Sequence, residues 1–208
     1  MTQPDWMKPA GRSWSDGGGR VVFDNPWIVL TEHDAVAPTG APAHYARVGF
    51  KNLAIGVVPL HEDGTVTLVG QHRFPLGDYS WELPEGGHPV DGDPLEGARR
   101  ELAEEAGLQA AEWREILRFQ LSNSVTDERG VGFIATGLTP TAAAPDPTEE
   151  LQVARVPFGE ALHLAVSGQI QDMITVALLL RAYHMAREGE LPAPLAAAIL
   201  GQGKGEAR

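Results

Sequence analysis

The stretch that decides the fold is Gly86-Gly-His-Pro-Val-Asp-Gly-Asp-Pro-Leu-Glu-Gly-Ala-Arg-Arg-Glu-Leu-Ala-Glu-Glu-Ala-Gly107-Leu108, a glycine-rich loop that runs into a helix carrying three closely spaced glutamates. Asp93 is suited to cap the helix N-terminus, Pro94 to occupy its first turn and Glu96 to return the capping bond. Gly107 permits the left-handed exit that ends the helix. Glu101, Glu104 and Glu105 stand at i, i+3 and i+4, so their carboxylates share one face, whereas Leu95, Ala98, Leu102 and Ala106 turn another face toward a core. One face packs and the other gathers negative charge.

Like charges at these spacings repel by only roughly 0.2–0.5 kcal/mol per pair in water, so such a cluster can stand as an ordinary solvated face. Spacing alone favours that plain reading. A hard divalent cation would give the cluster a purpose, because Mg2+ prefers carboxylate, carbonyl and water oxygens and commonly bridges to phosphates. The wider pattern tips the balance. Gly86, followed at the matching distance by Arg100-Glu-Leu-Ala-Glu-Glu-Ala-Gly107-Leu108, resembles the Nudix box, G-x5-E-x7-R-E-U-x-E-E-x-G-U with U aliphatic. The lead-in Trp81-Glu-Leu-Pro-Glu-Gly86-Gly87 is similar to the approach to that box in ADP-ribose and nucleoside-diphosphate-sugar pyrophosphatases. One position departs, since the first glutamate of the box falls on Gly92. In the family that glutamate supports the loop–helix–loop, so Gly92 bears on local rigidity more than on cation binding, with Asp91 and Asp93 as neighbouring substitutes.

The rest of the chain bounds the reading. Its 208 residues suit one domain with an N-terminal extension. Sixteen Lys and Arg against 28 Asp and Glu give a formal net charge of −12, which argues against unaided binding to nucleic acid or an anionic membrane. There is no cysteine, so disulfide and thiol chemistry are excluded. No signal-like or membrane-spanning run is visible, and a cytoplasmic location is expected.

Apolar alternation predicts strands at Val21–Phe23, Trp27–Thr31, Tyr45–Phe50, Leu53–Leu60 and Val66–Gln71, with a hairpin turn at His61–Gly64 between the last two. Further strands are expected at Glu112–Leu121, Val131–Gly137 and Leu151–Val156, then helices over Phe158–Val166 and from about Ile170 to Arg187. Strands on both sides of one helix, with two helices behind, predict an α/β fold with a mixed sheet between helical layers. The resemblance implies the same: a Nudix α/β/α sandwich with an N-terminal strand extension. The expected organisation is a flexible leader over 1–19, N-terminal strands forming a dimerisation element over 20–50, the Nudix domain over 51–190, and a C-terminal helix and frayed tail over 191–208.

Beyond the box, Gln71-His-Arg-Phe-Pro resembles the family's Q-Y-R segment, and Gly168-Gln-Ile-Gln-Asp-Met-Ile-Thr-Val-Ala-Leu its G-x-I-x-D-x-x-T-x-x-A-L. The resemblance implies Mg2+, with Mn2+ able to substitute, held by Glu101 and Glu105 with help from Glu104 and the Glu85 main-chain carbonyl, while Arg100 orients the carboxylates. It places a catalytic base on the loop before Leu151, with Glu149 first and Glu150 second, and Glu104 as a further candidate. Arg73 would reach the diphosphate or terminal sugar, with a surface ion pair an equal alternative. Glu128, in Ser122-Asn-Ser-Val-Thr-Asp-Glu128, resembles the sugar-contacting glutamate of an S-P-G-x-x-x-E segment. Asn123 stands where ADP-ribose-preferring enzymes carry proline, which weakens that preference. Gly87 is counted with the substrate-binding residues. Trp27 could stack on a nucleobase, although an aromatic at a core or dimer interface is the commoner role.

The implied activity is hydrolysis of nucleoside diphosphate sugars, of ADP-ribose or GDP-mannose type, by a homodimer. A non-catalytic module sensing a nucleotide sugar and a pyrophosphatase for another nucleotide are the alternatives.

Overall fold

The computed structural model describes residues 3–144 and 146–201. The chain divides into two compact units, one of residues 1–51 with 120–128 and the other of 52–119 with 129–208.

The first unit is a three-stranded antiparallel sheet of β1 (Ser15–Asp24), β2 (Ile28–Val36) and β3 (Pro42–Phe50), in the order β1-β2-β3. β1 opens inside the stretch expected to be a loose leader, and a single 3-10 turn at Asp5–Met7 precedes it. The Gly17-Gly18-Gly19 run, read as loose, is strand for a steric reason. A Cβ at Gly17 would lie 2.8 Å from the Asp34 carbonyl oxygen, and one at Gly19 2.9 Å from His33 Nδ1. Glycine lets β1 come down onto β2. The 120–128 segment is tied to β3 by Val48 N–H to Val125 O and by Phe50 N–H to Asp127 Oδ1.

The second unit holds the main core. β4 (Asn52–Pro59), β7 (Glu85–Pro89), β8 (Leu108–Gln120) and β9 (Arg129–Pro140) form a four-stranded sheet in the order β7-β4-β9-β8, mixed because β4 runs antiparallel to β7 and parallel to β9. β5 (Thr65–Arg73), β6 (Asp78–Glu82) and β10 (Gln152–Pro157) form an antiparallel sheet in the order β10-β5-β6. The His61–Gly64 turn forms as expected, with Gly64 at φ 81°, yet only one bridge, Leu60 to Val66, joins its arms before β4 and β5 part into different sheets. The Trp81–Gly87 lead-in is likewise two strands, broken at Leu83-Pro84, because proline has no N–H for the ladder.

Alternation along β4 and β9 makes the layers. Ile55, Val57, Val131 and Phe133 pack with Ala98 and Leu102 of α1 (Pro94–Ala106) in one buried cluster. Gly56 and Gly132 face the other way, beneath α3 (Met173–Arg187), where a Cβ on Gly56 would lie 2.7 Å from Leu178 Cδ1 and one on Gly132 2.9 Å from the same atom. The mixed sheet is thus covered by a helix on each face, as the sequence predicts. α2 (Phe158–Val166) and α4 (Ala193–Gly201) pack against α3. α3 starts at Met173 rather than near Ile170, because Asp172 caps it by accepting the Thr175 N–H. Of the expected tail, Gly201 closes α4 and 202–208 lie outside the described residues.

Candidate functional site

α1 begins and ends where its sequence directs. Asp93 accepts the Leu95 N–H at 3.0 Å, Pro94 fills the first position, and Gly107 closes the helix at φ 62° with its N–H on Ala103 O. Among the described residues the Glu96 carboxylate does not return the capping bond; only its N–H bonds, to Asp93 O. Leu102 is fully buried, which turns the neighbouring carboxylates toward β7.

Glu101 and Glu105 are buried, at 6 % and 4 % exposure, whereas Glu104 is partly solvated. Arg100 ties the cluster together, with Nη2 donating to Glu101 Oε1 at 2.7 Å and to the Gly87 carbonyl at 2.6 Å, and Nη1 donating to Glu104 Oε2 at 3.0 Å. The Gly87 carbonyl thus braces Arg100. Glu105 Oε2 accepts the Glu85 N–H at 2.9 Å. Burial pushes the Glu101 carboxyl up to about 7, a rise that Arg100 opposes and Glu104 and Glu149 reinforce. Burial pushes Glu105 up to about 8, opposed by the Glu85 N–H and reinforced by Glu101 and Glu149. Glu101 pairs with Arg100, whereas Glu105 has no ion-pair partner among the described residues.

β7 lies hard against this face. A Cβ on Gly86 would stand 2.6 Å from Glu101 Oε2 and closer still to the rest of that carboxylate, so any larger residue here would displace it. At Gly92, where the box would carry its first glutamate, the space is filled by His88, whose Cδ2 would lie 3.0 Å from an added Cβ. The same ring backs Gly97 of α1. Asp93 is occupied as the helix cap, and a histidine from β7 takes up room beside the loop.

Arg73, at the end of β5, is held by carboxylates. Its Nε reaches both oxygens of Glu82 at 3.0 and 3.1 Å, and its Nη2 reaches Glu82 Oε2 at 2.5 Å and Glu85 Oε1 at 3.1 Å. Arg73 is ion-paired, though with buried carboxylates and not in the surface pair weighed as its alternative, and Nη1 makes no hydrogen bond among the described residues. Oxygens of Glu82, Glu85 and Asp172 lie within 4.8 Å of one another. Burial, followed by the Asp172 and Glu82 charges, drives the Glu85 carboxyl well above the ordinary range. A cavity of about 640 Å³ opens here, lined by Arg73, Tyr79, Trp81, Glu82, Glu85 and Asp172 among others.

The loop before β10 approaches the same helix. Thr141 N–H bonds Gly107 O and Ala144 N–H bonds Glu104 O, which stitches the loop to the end of α1. Pro145 lies outside the described residues. Asp146 then takes the Thr148 N–H and hydroxyl, and Glu149 N–H closes a turn on Asp146 O. Glu149 is half-buried, and its charge raises the carboxyls of both Glu101 and Glu105; Glu150 is exposed and does neither.

The second unit therefore brings together Glu85, Gly87, Arg100, Glu101, Glu104, Glu105 and Glu149. Trp27 and Glu128 belong to the first unit. Trp27 stands just before β2 and is 64 % exposed, so the buried alternative does not hold within the chain. Glu128 is half-buried, and burial raises its carboxyl. Sequence reasoning missed Glu82, the Glu85 side chain, Asp172 and Thr175. Asp172 and Thr175 lie in the Gly168–Leu178 motif without an assigned role, and strand register would not have found Glu82, which pairs opposite Val69 while Arg73 pairs opposite Asp78.

Comparison with known proteins gives a concordant result. The sequence profile of the NUDIX domain matches residues 50–175. The chain is 31 % identical over 145 residues to the ADP-ribose pyrophosphatase of Mycobacterium tuberculosis, covering 68 % of this chain and 70 % of that one. It is 29 % identical to the ADP-ribose pyrophosphatase of Bacillus subtilis, over 74 % of this chain and 84 % of the relative. A CMP-5'-(N-acetyl-N-hydroxy-3-aminopropyl)phosphonate hydrolase of Streptomyces rubellomurinus is also 29 % identical, covering 75 % of each chain. Among solved structures, an ADP compounds hydrolase superposes with a TM-score of 0.77 at 18 % identity, over 88 % of this chain and all of that one, a likeness of fold.

Proposed function

Since the chain belongs to the Nudix family and is a hydrolase of pyrophosphate bonds, we propose that it acts on nucleoside diphosphate sugars of ADP-ribose or GDP-mannose type. The reaction depends on Mg2+ and yields a nucleoside monophosphate and a sugar phosphate. The observation that carries this reading is the pair of buried carboxylates, Glu101 packed under Gly86 and Glu105 bonded to the Glu85 N–H, with the Glu149 charge acting on both. Glu101 and Glu104 share one arginine and Glu105 has no ion pair among the described residues, so a hard cation with oxygen preference fits the donor set. Glu101, Glu105 and the Glu85 carbonyl would hold it, assisted by Glu104. A divalent cation there supplies charge neutralisation for the diphosphate and activation of water.

The chain's own groups do the rest. Arg100 orients Glu101 and Glu104 and holds β7 through the Gly87 carbonyl. Glu149 would accept the proton of the attacking water, with Glu150 the second choice. Arg73, fixed by Glu82 and Glu85, offers its Nη1 edge to a phosphate or sugar oxygen within the cavity beside it.

The reading extends to a homodimer. Val21, Val22 and Phe23 are 57 %, 46 % and 50 % exposed although neighbours on a strand point to opposite faces, so neither face of β1 is covered. β1 is also an edge strand, open to a second copy. Among the described residues no helix is long and apolar enough to cross a membrane, and our reading places the protein in the cytoplasm. The test is turnover of ADP-ribose and GDP-mannose with Mg2+. Glu105→Gln should abolish it while leaving the fold intact; normal turnover by that variant would remove the cation site from α1.

A further inference from the structure

The segment Leu83-Pro84-Glu85, which joins β6 to β7, enters the site from behind, and its backbone is pinned at three successive points. Leu83 N–H donates to the Thr175 hydroxyl at 2.8 Å, Pro84 O accepts the Val57 N–H at 2.9 Å, and Glu85 N–H donates to Glu105 Oε2 at 2.9 Å. Leu83 and Thr175 are both wholly buried, so no water can replace the first of these bonds. Thr175 sits in the first turn of α3, and its own N–H is taken by Asp172 at 2.6 Å. The Asp172 cap therefore fixes the rotation of the turn that aims the hydroxyl. Ile174 and Leu178, one residue before and three after Thr175, press on Gly56 of the adjacent strand and hold α3 at that distance.

We propose that Thr175, oriented by Asp172, is a positioning residue for the cation site of α1. Its hydroxyl sets the path of Leu83–Glu85, and so where the Glu85 carbonyl and N–H stand relative to Glu101 and Glu105. This gives a role to the Gly168–Leu178 motif, far in sequence from the glutamates it serves. The inference rests on the cation reading above, and the experiment separates the two.

Mn2+ binding by the full chain is measured from the loss of the free Mn2+ resonance, for wild type, Glu105→Gln, Thr175→Val and Thr175→Ser, beside a thermal melt of each. Valine keeps the shape and removes the hydroxyl; serine keeps the hydroxyl. Thr175→Val should weaken Mn2+ binding about 10–100-fold, the usual effect of losing a group that orders a ligand, while remaining folded at the assay temperature. Thr175→Ser should bind within about twofold of wild type. Wild-type binding by Thr175→Val, or binding by Thr175→Ser as weak as that of valine, overturns the proposal. Loss in Glu105→Gln with no effect in Thr175→Val leaves the cation reading standing alone. If wild type binds no Mn2+, the cation reading fails and this inference with it. Should Thr175→Val not fold, hydrogen exchange at the Leu83 amide of metal-free wild type decides. Protection close to that of global unfolding supports the proposal, and exchange at the rate of an exposed loop overturns it.

Discussion

Gly86→Ala isolates the contact on which the site is built. The φ of Gly86 lies outside the left-handed region, so alanine meets no backbone strain there. The added methyl would stand 2.6 Å from Glu101 Oε2, against the 3.4–4 Å of ordinary contact. One partner must therefore move by about 1 Å, the scale of misplacement that can lower catalysis about a hundredfold. The partner that gives is the Glu101 carboxylate, because β7 is held on β4 by ladder bonds and Glu101 can swing about its side-chain torsions. Swinging away breaks its 2.7 Å bond from Arg100 and removes it from the cation site. Stability should change little, since the clash is offset in part by the roughly 0.4–1 kcal/mol that Gly→Ala gains through the unfolded chain. The assay pairs a urea melt with Mn2+ binding and kcat on a nucleotide sugar. The expected result is a near-native melt, Mn2+ binding weakened at least about tenfold and kcat down about a hundredfold. Native binding and turnover in Gly86→Ala would refute the placement of Glu101 in the site.

Glu149→Gln should lower kcat by about 10²–10⁴ with little change in substrate affinity; if Glu150→Gln shows that loss instead, the base is one residue on. The metal-free protein should lose stability as pH rises from about 5 to 8. Glu101 and Glu105 sit at about 7 and 8 in the fold against 4.5 in the unfolded chain, so across that window the folded state holds protons the unfolded state has lost. At about 1.4 kcal/mol per pH unit, displacements of about 2.5 and 3.5 set an upper limit of roughly 8 kcal/mol for the two together. Urea melts in chelator at pH 5 and 8 check this, and a greater stability at pH 8 would contradict it; Mg2+ should reduce the difference.

The helix and its charges were legible because they depend on local spacing. Asp93, Pro94 and Gly107 bound α1 by rules internal to the chain, and Glu101 and Glu105 share a face by helical period alone. What escaped depends on tertiary approach. His88 fills the room beside Gly92 only because β7 is laid against α1, and Glu82, opposite Val69 in the β5–β6 register, meets Arg73 only through the reach of the arginine side chain. Thr175 reaches Leu83 only after α3 has settled on Gly56 and Gly132. The Gly17–Gly19 run misled for the opposite reason. Glycine was read as freedom, where close approach to His33 and Asp34 makes it the residue that fits. Pro84 is a local signal too, since a proline inside an extended run marks the break between two strands.

The central claim is that this chain breaks a pyrophosphate bond using a cation held by the α1 glutamates. The direct measurement is the mass of the products formed from ADP-ribose and from GDP-mannose by purified protein with Mg2+, beside chelator and Glu105→Gln controls. The account predicts a nucleoside monophosphate and a sugar phosphate in the complete reaction and intact substrate in both controls. Release of a nucleoside diphosphate with free sugar, or undiminished turnover in chelator, would contradict it.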